Sequence, residues 1–98
     1  MTSQRETITE SPRERVLLAA SRLEEIPIGG QVEPAFMALR AALWELIEVS
    51  EDPDAYMVAW NTVAKYAWAE LVEYEETGNT DALERMKDKV NQAMTFLE

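Results

Sequence analysis

The sequence predicts an all-α fold, a compact bundle of four helices. Three observations carry that expectation. Apolar residues recur at spacings of three and four in four separate stretches, no stretch alternates with period two long enough for a strand, and Pro and Gly fall between the stretches. No internal repeat at a fixed period competes with this reading.

Each element has its own start and stop signal. Ser11, Pro12 and Glu14 form a capping box with proline at the first helical position, which opens a helix running to about Glu25. Val16, Ala19, Ala20, Leu23 and Ile26 line one of its faces. Pro27, Gly29 and Gly30 break it, and Glu33-Pro34 starts the second helix, whose stripe is Phe36, Leu39, Leu43, Leu46 and Ile47 and whose end lies near Ser50. Asp52-Pro53 repeats the acid-then-proline pattern and opens a third helix with no breaker until Gly78. At 1.5 Å per residue that helix would be about 37 Å long. Gly78 suits a left-handed helix stop, and Asn79 or Thr80 suits the cap of the last helix. Leu83, Met86, Val90, Ala93, Met94 and Leu97 give that helix the cleanest period in the chain. The short connections at 51–52 and 78–79 imply antiparallel hairpins, and the longer 26–33 loop lets the first helix cross at an angle.

The third helix is unusual. On a wheel of 100° per residue its apolar residues, from Tyr56 and Met57 through Trp60, Val63 and Trp68 to Tyr74, cover roughly 240°, about twice an ordinary stripe. Two readings are open: the other helices surround it as a central element, or part of it stays uncovered and a second copy or another protein covers it.

Composition narrows the function. The chain has 98 residues, 47 % of them hydrophobic, enough for one core and one domain. Residues 1–10 are polar and charged with no apolar signal core, so a flexible polar tail followed by a single domain over 11–98 is expected. Apolar runs fall short of the ~20 residues of a membrane span, which points to a cytoplasmic protein with no membrane partner. Cysteine and histidine are absent, so thiol nucleophiles, Cys/His metal sites and histidine acid/base chemistry are absent with them. Glu45 with Glu48, and Glu70 with Glu73, have carboxylate-pair spacing but lack the histidines of a bundle-core metal site. No catalytic residue, metal or cofactor is therefore expected, and the chain reads as a non-enzyme. Glu70 falls inside the apolar arc of the third helix, where a tyrosine hydroxyl or a lysine of the last helix would have to satisfy it.

Several apolar side chains lie off the core stripes. Met37 and Trp44, seven residues apart, share a face about 100° from the core side of the second helix. Trp68 and Val72 sit at the edge of the third helix's arc, and Leu17, Leu18 and Phe96 are displaced similarly. Trp and Tyr concentrate interface energy, so Met37, Trp44, Trp68 and Val72 are candidate contacts for another protein, with a homodimer expected.

The run Arg13 to Leu23, Arg-Glu-Arg-Val-Leu-Leu-Ala-Ala-Ser-Arg-Leu, resembles the opening helix of TetR-type repressors. It covers only those eleven residues, and neither the small-residue turn nor the basic recognition helix of such a domain follows. No function carries over from it.

Charge completes the picture. The formal net charge is −10, which disfavours direct contact with nucleic acid. Residues 1–40 hold six acids and five bases, residues 41–84 eleven acids and one base, and residues 85–98 two acids and three bases. The excess forms two clusters: Glu45, Glu48, Glu51, Asp52 and Asp54, then Glu70, Glu73, Glu75 and Glu76 with Asp81 and Glu84. Helix dipoles favour the acids at helix starts but oppose Glu73, Glu75 and Glu76. Two functions are expected from this sequence. One is an acidic interaction module that binds, and regulates or inhibits, another protein through apolar helix faces. The other is a nucleic-acid mimic that blocks a DNA- or RNA-binding protein through the acidic clusters, whose partner would present a basic surface.

Overall fold

A computed structural model describes residues 11–97, and all statements of structure concern these. The expected tail at residues 1–10 lies outside them. Four helices form, with no strand among the described residues. We label them α1 (Pro12–Glu24), α2 (Glu33–Val49), α3 (a continuous helical rod over 53–77) and α4 (Thr80–Met94), the last closed by a 3₁₀ turn, Thr95–Leu97.

The start of α1 follows its sequence signal. Ser11 Oγ accepts from the Glu14 N–H at 3.1 Å while the Glu14 carboxylate accepts from the Ser11 N–H at 3.0 Å. Two donors that have no partner inside the helix are satisfied together. α3 stops where Gly78 adopts φ 73°, and its N–H donates to the Tyr74 carbonyl at 2.8 Å. A Cβ in this left-handed region costs about 1–2 kcal/mol. Asn79 Oδ1 then caps α4 by accepting from the Asp81 N–H at 3.0 Å. Asp52 makes no such cap for α3, whose first turn, Pro53–Tyr56, is 3₁₀.

Every neighbouring pair of helices is antiparallel. Across α1 and α2, Arg15 pairs with Glu45, each about three quarters of a helix from the loop between them. Between α2 and α3, Phe36 meets Trp68 with ring centroids 5.7 Å apart and Trp44 meets Trp60 at 5.1 Å, so position rises along one helix as it falls along the other. On α3 and α4, Glu70 faces Arg85 across the Gly78 turn. Between α4 and α1, the Asn91 side chain donates to Glu24 and the Arg13 side chain donates to the Leu97 carbonyl. The ring therefore closes as α1, α2, α3, α4 and back to α1.

The core stripes of α2 and α4 are buried throughout, and α1 contributes Val16, Ala20 and Leu23 with Ala19 and Ile26 packed at the margin. The third helix departs from its sequence expectation. It is not one regular α-helix: Met57–Asn61 is α-helical, Thr62–Ala67 is π-helical, and Trp68–Thr77 is α-helical again. Its fully buried residues are Ala59, Val63, Ala67 and Leu71, spaced by four throughout. In a regular helix a period of four drifts by about 40° each step, and the wider π turn removes much of that drift. Nor is α3 surrounded: Tyr66 is 58 % exposed, and beside the fully buried stripe Tyr56, Met57, Trp60, Trp68 and Tyr74 are only partly buried against the core.

Candidate interaction surface

Beside the buried stripe of α3 runs a second one, Trp60, Ala64, Trp68 and Val72, again spaced by four and half-buried along its whole length. The π turn aligns it as well. Facing it on α2 is the outward stripe Met37, Ala41 and Trp44, spaced by four and three, with Glu48 one turn further on. Met37, Arg40, Ala41, Trp44 and Trp60 line an open, mainly apolar groove of about 450 Å³ between the two helices. Trp44 is 44 % exposed and leans on Trp60, while the Arg40 guanidinium lies 5.5 Å from the centre of the Trp60 ring. A cation over an indole face contributes about 0.5–1 kcal/mol at an exposed site.

Of the expected apolar contacts, Met37 and Trp44 come together in this groove. Trp68 and Val72 do not line it. Trp68 is half-buried with its ring against Phe36, and Val72 is half-buried one turn above. Three lining residues, Arg40, Ala41 and Trp60, were not among the expected contacts. Arg40 stands four residues before Trp44 and Ala41 four after Met37, a signal open to the wheel; Trp60 lay on the broad apolar arc of the third helix, which did not single it out as facing α2. Leu18 and Phe96 are exposed as expected, at 41 % and 47 %, whereas Leu17 packs partly against the core.

The acidic residues divide differently from their order in the sequence. Glu70 is satisfied by Arg85 at 3.0 Å rather than by a tyrosine hydroxyl or a lysine, and Arg85 also reaches Glu73 at 3.5 Å. The hydrogen bond to Glu70, and then its charge, raise the Arg85 pKa above the ordinary arginine value. Lys87 instead donates to the Ile26 carbonyl at 2.8 Å, tying α4 to the loop after α1. The Tyr74 hydroxyl accepts from the Gly29 N–H at 3.1 Å. Glu45 looked free of bases along the chain, but α1 brings Arg15 to 3.1 Å from it. Among the described residues Glu48, Glu51, Asp52, Asp54, Glu75 and Glu76 enter no ion pair. No group of three or more carboxylates among them stands in metal-binding proximity. No described helix is long and apolar enough to cross a membrane.

Comparison with protein-family models, with curated proteins and with solved structures returns no match to this chain.

Proposed function

We propose that this chain is a non-enzymatic protein-interaction module of the cytoplasm that contacts another protein chain through the α2/α3 groove, and regulates that chain by occupying it. The observation that carries this reading is the pairing of an exposed Trp44 with Trp60 and Arg40 over a floor of Met37 and Ala41. Trp and Arg are the side chains that most often dominate binding energy, and here they sit together around an apolar depression. Half-exposed indole on a rigid helix also loses little conformational freedom on binding.

The test compares complexes recovered from the native source by the tagged chain and by its Trp44→Ala variant, with folding of both checked by circular dichroism. The reading expects complexes that depend on Trp44. If the variant retains every partner of the parent chain, the groove is not the contact surface.

The second reading, a nucleic-acid mimic, draws support from the six carboxylates that enter no ion pair. Salt separates the two. Binding through carboxylates that stand in for phosphates weakens steeply as ionic strength rises, whereas apolar docking changes little. Glu→Gln changes at Glu48, Glu51, Glu75 and Glu76 that leave the affinity intact would eliminate mimicry.

A further inference from the structure

We propose that the occupant of the groove is α2 of a second copy of this chain, packed antiparallel on α2 about Trp44 so that the Trp44–Glu48 segment of each copy lies along the groove of the other. The inference rests on the groove being a protein-contact surface, and it names the partner.

The outward face of α2 is complementary to itself. A two-fold interface must match itself: if residue i of one copy touches j of the other, then j touches i. The outward side of α2 carries Arg40, Trp44 and Glu48 at equal steps of four, a cation and an anion placed symmetrically about an aromatic. Among the described residues neither Arg40 nor Glu48 has an ion-pair partner within its own chain. Antiparallel pairing centred on Trp44 brings Arg40 of each copy against Glu48 of the other and stacks the two Trp44 rings near the axis. Parallel pairing would oppose Arg40 to Arg40 and Glu48 to Glu48.

The available area sets the strength. An antiparallel two-fold about Trp44 overlaps residues 39–49 of the two α2 helices, about 16 Å, so a face two helices or about 20 Å wide offers roughly 320 Å² in projection. That is below the ~800 Å² per partner of a standard stable interface, so the dimer forms at micromolar rather than nanomolar concentration.

Sedimentation or light scattering across a concentration series tests the proposal. The expected result is a dimer at high micromolar concentration, with each charge reversal alone, Arg40→Glu or Glu48→Arg, weakening self-association roughly tenfold or more. Mixing the two variants restores association as a heterodimer, because one copy then carries only acids at these positions and the other only bases. Circular dichroism confirms that both variants remain folded. A wild-type chain that stays monomeric, or single reversals that dimerise as well as the parent, overturns the second copy as occupant. A pure monomer whose complexes in source extract still depend on Trp44 overturns this inference alone and leaves the groove reading in place. Complexes indifferent to Trp44 overturn the groove reading itself.

Discussion

Two aromatic residues on α2 have opposite jobs. Phe36 is fully buried and packs on Trp68, whereas Trp44 is 44 % exposed. Phe36→Ala should therefore cost about 3–5 kcal/mol in urea unfolding, through lost transfer energy and the cavity left behind. Trp44→Ala should cost about 1 kcal/mol or less. A large loss at Trp44 would mean that the residue serves the fold rather than a partner. At Glu70 the deciding fact is that its side chain keeps only 21 % of its exposure, so removing Arg85 strands a carboxylate with little water. Arg85→Ala should lower the urea midpoint, and adding Glu70→Gln to it should recover part of the loss. The sequence marked Glu70 as a carboxylate in need of a partner. A hairpin about Gly78 puts Arg85 opposite Glu73, which it reaches, and Lys87 or Lys89 near Glu70; that Arg85 also takes Glu70 in place of a lysine depends on the rotation of α4.

At the scale of elements, stripes and caps were legible and the helical type of α3 was not. The starts and stops expected at Ser11-Pro12, Glu33-Pro34, Gly78 and Asn79 coincide with the observed ones because each depends on a few adjacent residues. A π turn has no such local signature. It arises where tertiary packing holds Ala59, Val63, Ala67 and Leu71 on one side, at a period longer than an α-helix supplies. This predicts an unusual tolerance. Deleting the exposed Lys65 would change the spacing of that stripe from four-four-four to four-three-four, the regular period of an α-helix. The shortened chain should remain folded, with a urea midpoint equivalent to a change within about 1 kcal/mol of the parent. Deleting the equally exposed Asp88 from α4 should instead rotate Val90, Ala93, Met94 and Leu97 by about 100° away from the core and leave the chain unfolded by circular dichroism. Equal tolerance at both positions would refute the account of α3.

For the whole molecule, the antiparallel ring of helices decides what the charge does. Residues 41–84 carry eleven acids and one base, and folding gathers them onto the end of α2, the rod α3 and the start of α4. The ring supplies Arg15 and Arg85 to three of these carboxylates from elements distant in sequence or across a turn, a redistribution that linear order conceals. These pairs are solvated at one or both ends, and such pairs contribute about 0–1 kcal/mol each. The remaining acids enter no ion pair among the described residues and repel one another over distances comparable to the Debye length, about 10 Å at 0.1 M salt. Added salt screens both effects, but the repulsive pairs outnumber the attractive ones at a net charge of −10. Stability should thus rise between roughly 10 mM and 0.5 M sodium chloride. A gain of about 1 kcal/mol corresponds to about 4–8 °C in thermal midpoint for a domain of this size. The measurement belongs at low protein concentration, where self-association adds nothing to the midpoint. A midpoint that falls with salt would show that the three ion pairs outweigh the repulsion, and the acidic face would then be a stabilising network rather than a strained surface.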